Sequence, residues 1–139
     1  MAFIKSWFVI DYKLESLSGF DDPHVRFPSA LPAKFIKEYT NKGDNVFDPF
    51  SGFGTTLTTA QKLGRNDYGI EFDEKKIPYI QARLKAPSKV IHGSALDIGS
   101  FDLPLMDLSF TSPPYMRTFD TENPLSNYAE EGSRSALRS

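Results

Sequence analysis

The stretch VFDPFSGFGTT, residues 46–56, constrains the fold more than any other part of the chain. It ends a short apolar run in an aspartate, sets two glycines just after it, and then begins a helical pattern. Glycine removes the side chain where a backbone must turn sharply or come close to a ligand. The helix that follows offers free N–H groups to a negatively charged group. Such a unit reads as strand, tight loop and helix. The loop lacks the Gly-Lys-Ser/Thr ending of a nucleotide-triphosphate loop, which disfavours ATP hydrolysis. It also lacks the third glycine of a dinucleotide fingerprint, so a dehydrogenase is a distant reading.

The flanking segments extend the same logic. Leu31, Phe35, Ile36 and Tyr39 recur at helical spacing after Pro32, and Asn41-Lys42-Gly43 stops that helix. Strands are expected at 45–48, 67–71, 89–92 and 105–110. Helices are expected from Thr55 to Leu63 and from a cap at Asp73 to about Leu84, with Pro78 tolerated near the first turn. Strands alternating with helices imply right-handed crossovers and a parallel sheet. The expected fold class is therefore α/β, a partial, doubly wound and mainly parallel sheet of Rossmann-like type, with ligands at the carboxyl ends of its strands. Residues 1–30 read as an N-terminal extension, in which Phe3, Trp7, Phe8 and Ile10 suggest a strand. Residues 31–118 read as the cofactor-binding and catalytic domain, and 119–139 as a polar tail whose last eight residues carry no fold signal.

With 139 residues the chain holds one domain, and its formal charge of -2 gives no broad basic field for autonomous nucleic-acid binding. The chain has no cysteine, which excludes disulfides and thiolate metal sites. His24 and His92 read as structural or solvated, and no metal site is expected. No apolar run approaches the roughly 18 residues of a membrane span, so the expected location is cytoplasmic.

Three carboxylates close successive strands. Asp48 precedes the glycine loop. Glu71 follows at close to the roughly 20-residue offset at which a carboxylate meets ribose hydroxyls in nucleoside-binding α/β folds. Asp97, in GSALD, follows the third strand and suits an adenine amino group, while Phe72 offers a ring for stacking. Their order and spacing describe a pocket for an adenosine-containing cofactor.

DPFSGFGTT, GIEFDEKKIPYIQARL, GSALD and TSPPY, taken in this order, resemble the S-adenosyl-L-methionine-dependent DNA amino-methyltransferases, which methylate an exocyclic amino group of adenine or cytosine. The upstream segment FPSALPAKFIKEYTNKGDNVFDPF is similar to the helix that precedes the glycine loop in that family. The resemblance implies that Asp48, Pro49, Phe50, Ser51, Gly52, Gly54 and Thr55 bind the methionine part of the cofactor. It further implies that Glu71 binds the ribose, Phe72 packs on the adenine and Asp97 contacts the adenine amino group. Ser112, Pro113, Pro114 and Tyr115 would be the catalytic tetrapeptide, with Ser112 also beside the cofactor.

A serine in first position is more usual in family members that modify cytosine, and adenine stays open. Ser112 Oγ and the Pro113 carbonyl would accept hydrogen bonds from the amino group. The two prolines limit the conformations of the segment. Tyr115 would stack on a DNA base flipped from the duplex. Few residues follow Tyr115, and they do not read as the further strands and recognition region of the family. The chain is thus expected to be truncated or one part of a split enzyme, with an exposed sheet edge covered by a homo-oligomer or a complementary subunit. An RNA base methyltransferase and a non-catalytic cofactor-binding module are the alternatives.

Overall fold

The computed structural model describes residues 8–17, 26–85 and 87–113. Its centre is β1 (Asn45–Asp48), whose Val46, Phe47 and Asp48 are all buried. Strand β2 (Asn66–Glu71) pairs with β1 on one side, and β3 (Lys89–His92) pairs with β2. On the other side β1 pairs with β4 (Leu108–Ser109). All pairings are parallel and the order is β3-β2-β1-β4. The chain therefore steps outward twice in one direction and then returns past β1. Right-handed crossovers place the helices between β1, β2 and β3 on one face of the sheet and send the β3-to-β4 connection across the other.

Helix α1 (Ala30–Tyr39) precedes β1, and α2 (Thr55–Lys62) joins β1 to β2. Their contact forms the core on that face, where Ile36, Val46 and Ala60 are fully buried and Leu63 and Leu108 pack against them. Four threonines make α2 a poor helix by propensity. Its hydroxyls turn back on the helix, Thr58 and Thr59 both donating to the Thr55 carbonyl, at 3.2 and 2.7 Å. Burial of Thr55 through Ala60 then holds the helix against the sheet.

The region after β2 departs from the single helix expected from Asp73 to Leu84. Asp73 does act as a cap, accepting from the Lys75 N–H at 3.1 Å, but the first turn is a 3₁₀ helix (Glu74–Lys76). The α-helix proper, α3, is Ile77–Arg83. Pro78 falls in its first turn, where a missing N–H costs nothing. The connection from β3 to β4 carries a second 3₁₀ helix (Ala95–Ser100).

Two strand expectations are corrected. The fourth strand is Leu108–Ser109 rather than 105–110, because side chains take over its bonds at the start. Asp107 accepts from the Asn45 N–H at 2.8 Å, and Asn45 Nδ2 donates to the Leu105 carbonyl at 2.9 Å. Phe8 and Ile10 lie in no regular strand, and Phe3 and Trp7 lie outside the described residues. Residues 8–17 are instead held by side chains. Phe8 meets Phe35 edge-on at 5.5 Å, and Glu15 pairs with Lys62 at 2.7 Å and Arg83 at 3.0 Å. Among the described residues no helix is long and apolar enough to cross a membrane.

Candidate functional site

Strands β1 and β4 are neighbours although β2 and β3 lie between them in the chain, so the strand order reverses at this point. In open α/β sheets such a switch point leaves a crevice at the carboxyl ends. Here the crevice is a cleft of ≈ 500 Å³, within the roughly 300–1,000 Å³ typical of small-molecule sites. The loop after β1 supplies Pro49, Phe50, Ser51 and Gly52 to its wall, and α2 supplies Thr55. Glu71 and Phe72 come from the end of β2, Ser94 and Leu96 from the segment after β3. Ser112 and Pro113, just beyond β4, complete the wall.

Two glycines make this arrangement possible. Gly54 caps α2 with φ 80°, a left-handed conformation that glycine adopts without cost. A Cβ there would also meet Ile80 Cγ2 at 3.0 Å, so the loop could not sit as low on α3. Gly69 lies within β2 and lets the loop and α2 approach the sheet. A Cβ at Gly69 would fall 2.3 Å from Ser51 Oγ and 2.8 Å from Leu57 Cδ1. Gly69 was not among the expected site residues, although a glycine inside a strand signals a close backbone approach.

The loop is closed onto β2 by Glu71. Its carboxylate accepts from the Gly52 N–H at 2.6 Å and from the Asp73 N–H at 2.9 Å. Two backbone donors hold the carboxylate at the cleft wall, and each oxygen keeps a further lone pair for hydroxyl donors. Phe72, beside it, is 77% exposed, so an uncovered ring faces the cleft. His92 braces this corner, its Nε2 lying 3.2 Å from the Phe72 carbonyl, a hydrogen bond in the tautomer protonated at Nε2.

Asp48 and Gly54 lie beneath the cleft rather than on its wall. Asp48 is 1% exposed, and its Oδ1 accepts from the Phe50 N–H at 3.0 Å and the Thr111 hydroxyl at 2.7 Å. Burial pushes this carboxyl above the ordinary aspartate range, and nearby Glu71 adds to the rise. The donors at Thr111, Phe50 and Thr56 oppose it. Asp97 sits in the second 3₁₀ helix, exposed, one residue past the lining Leu96. Its backbone is tied into that turn, the N–H donating to the Ser94 carbonyl at 3.0 Å and the carbonyl accepting from Ser100 Oγ at 2.7 Å. Pro114 and Tyr115 lie outside the described residues.

Arg26, Phe27 and Lys76 also line the cleft and were not anticipated. Arg26 donates to the Glu15 carbonyl at 2.7 Å, while its Nε is buried without a partner. Lys76 lies 5.5 Å from the Phe53 ring centroid, a cation–π distance. Phe27 meets Phe110 edge-on at 5.9 Å, and Phe110 in turn lies 5.4 Å from Phe35, so a row of rings ties α1 to the end of β4. No motif spacing marks these residues, since they reach the cleft from distant parts of the chain.

Known proteins are similar to this chain in sequence and in fold. The type II methyltransferase M.BglI of Bacillus subtilis is 47% identical over 65 residues, which is 47% of this chain and 18% of that protein. The type II methyltransferase M.MjaI of Methanocaldococcus jannaschii is 38% identical over 65 residues, covering 47% of this chain and 22% of that protein. The chain thus matches about a fifth of the length of these relatives. In fold it is similar to a TehB-like SAM-dependent methyltransferase from Corynebacterium glutamicum, with TM-score 0.51 and 20% identity over 59% of this chain and 44% of that one. The fold is accordingly the Rossmann-like one of SAM-dependent methyltransferases. The family model for N6/N4 methyltransferases, described as DNA methylase, matches residues 5–82, more than half of the sequence. With that match, and with a glycine loop and a Ser-Pro segment on one cleft, the chain belongs to the N6/N4 DNA methylase family.

Proposed function

We propose that this chain carries the cofactor-holding and catalytic part of a DNA amino-methyltransferase. It would transfer the methyl group of S-adenosylmethionine to an exocyclic amino group of a DNA base, with cytosine favoured over adenine. The observation that carries this reading is the meeting of Ser112 and Pro113 with the glycine loop and Glu71 on one cleft.

The chemistry of the cleft fits the cofactor. Glu71 offers carboxylate oxygens to ribose hydroxyls and is pre-oriented by two backbone donors. Phe72 presents an open ring suited to an adenine, and Asp97, next in the chain to the lining Leu96, is the carboxylate we assign to the adenine amino group. Pro49 to Gly52 and Thr55 form the wall expected to lie along the methionine part, with Asp48 and Gly54 shaping that wall from below. When bound, the cofactor supplies an activated methyl group on a positively charged sulfur.

The protein's own task is to present the amino group. An exocyclic amino nitrogen is a weak nucleophile because its lone pair is delocalised into the ring. Ser112 Oγ and the Pro113 carbonyl are the acceptors that would take hydrogen bonds from its two N–H groups and turn that lone pair outward. Pro113 restricts its own φ and the conformation of Ser112, so little entropy is left to lose when the base arrives. Tyr115 would stack on the flipped base, worth about 1–3 kcal/mol in comparable platforms. The type II names of the relatives support a role in a restriction-modification system. We further propose that a second copy or a complementary subunit completes DNA recognition.

The test is titration calorimetry with S-adenosylhomocysteine, followed by transfer of labelled methyl groups to duplex DNA and to tRNA. Binding with transfer to DNA, lost in Ser112→Ala and Tyr115→Ala, supports the reading. Transfer to tRNA alone would replace it with an RNA enzyme, and binding without transfer to either substrate, with or without an added partner chain, with a cofactor-binding module.

A further inference from the structure

Strand β4 is attached to β1 over only two paired residues, Val46 with Leu108 and Phe47 with Ser109. The Phe110 N–H, donating to the Phe47 carbonyl at 2.9 Å, makes the last backbone bond of this edge among the described residues. Past it the connection passes to a side chain. The Thr111 hydroxyl donates to Asp48 Oδ1 at 2.7 Å, and the same oxygen receives the Phe50 N–H of the glycine loop at 3.0 Å. One buried carboxylate oxygen thus joins the loop on the cofactor side to the residue preceding Ser112.

From this geometry we infer that Thr111 is a positioning residue, which pins the Ser112-Pro113 segment to the glycine loop through Asp48 and so couples filling of the cleft to the placement of Ser112. The inference rests on the functional reading above. Asp48 is 1% exposed, so water competes little for its oxygens and the bond is strong. Thr111 is β-branched, which limits the rotamers of its hydroxyl before the bond forms. The Thr56 hydroxyl is buried beside the same carboxylate and is a further donor toward it. Release of Thr111 therefore leaves Asp48 the Phe50 N–H and the neighbouring Thr56 hydroxyl as donors, and the pin can open without leaving this side chain unpartnered.

The experiment compares Thr111→Val, which keeps the shape and removes the donor, with Thr111→Ser, which keeps the donor. Amide hydrogen exchange is measured by NMR on the whole chain, free and saturated with S-adenosylhomocysteine, and affinity by calorimetry. In the wild-type protein saturation slows exchange at the Phe110 N–H. Thr111→Val lowers Phe110 protection in the free protein by about tenfold and abolishes the slowing, with affinity kept within about threefold; Thr111→Ser restores both. Unchanged Phe110 behaviour in Thr111→Val overturns the inference, and so does a serine variant that fails as the valine variant does, since the methyl contact would then be the cause. Should the wild-type chain not bind S-adenosylhomocysteine, the functional reading falls by itself. The pin is then judged on free-protein protection alone, supported by a loss in valine that serine rescues and overturned by no loss.

Discussion

The Gly52 N–H donates to Glu71 Oε2 at 2.6 Å, so the glycine loop after β1 is closed onto the end of β2 by a charged hydrogen bond. The bond gives Glu71 two duties, holding the loop and offering acceptors to the cleft. Glu71→Gln keeps the size but weakens both. Hydrogen bonds to a charged group contribute about 1.5–3 kcal/mol, and roughly half of that is expected to be lost, because the amide oxygen still accepts from one donor. Urea denaturation checks the stability loss, and S-adenosylhomocysteine calorimetry should show affinity reduced by about tenfold or more. An unchanged affinity would remove Glu71 from the cofactor wall.

Gly69 sets how closely the loop and α2 approach the sheet. The 2.3 Å and 2.8 Å approaches of a built Cβ to Ser51 Oγ and Leu57 Cδ1 require Gly69→Ala to push both away. Leu57 is fully buried, so it has no room to retreat. Overpacking of this kind costs about 1–3 kcal/mol, readable in thermal or urea unfolding, and cofactor affinity should fall with it. A variant as stable as the wild type would mean that the helix shifts freely over the strand.

Asp48 makes stability depend on pH in an unusual direction for a carboxylate. Its pKa is raised by burial, so the folded chain holds this proton more tightly than the unfolded chain does. Between the ordinary aspartate value, about 3.9, and the raised folded value, the folded state binds more protons, and stability falls as pH rises through that window. Asp48→Asn has no such slope. The wild-type melting temperature should therefore decline relative to Asp48→Asn as pH rises from about 4 through the raised folded value. The raised Asp67 is present in both proteins and cancels. A gap that stays constant with pH would contradict the assignment.

Glu15 carries the opposite sign. The Lys62 hydrogen bond is the largest influence and, with Arg83, lowers its pKa against a partly opposing burial. Its contribution is present above the ordinary glutamate value and is lost as pH falls through the depressed folded value. With the side chain 41% exposed the pair is well screened, and Glu15→Gln should cost less than about 1 kcal/mol at neutral pH and nearly nothing in strong salt or acid. Urea titrations at two salt concentrations would show it, and a loss above about 2 kcal/mol would mark the 8–17 segment as a larger part of the fold than its contacts suggest.

The alternation of strands and helices could be read from the chain because it is encoded locally. Apolar runs such as Val46-Phe47, the punctuation at Gly43 and Gly64 and the cap at Asp73 act over a few residues, and the strands at 45–48 and 89–92 have the bounds expected of them. The exceptions occur where distant groups compete for the same backbone. Asn45 and Asp107 shorten β4, and ring contacts of Phe8 replace a strand that the N-terminal run suggested. Local pattern carries no information about either.

The candidate site divides along the same line. That a carboxylate, a glycine loop and a Ser-Pro-Pro-Tyr segment occur in one order is written in the linear spacing, and it was enough to suggest both the ligand class and the reaction. Which of these groups share a wall is a matter of strand order. Because β4 returns to lie beside β1, Ser112 meets a loop more than fifty residues earlier in the chain. The same return draws Thr111 onto Asp48 and sinks that carboxylate beneath the cleft, while Glu71 stays at its edge. Residue type sets what each group can donate, accept or stack; only parallel pairing across the switch point sets which groups do so together, since contacts between distant segments exist only once the sheet has formed.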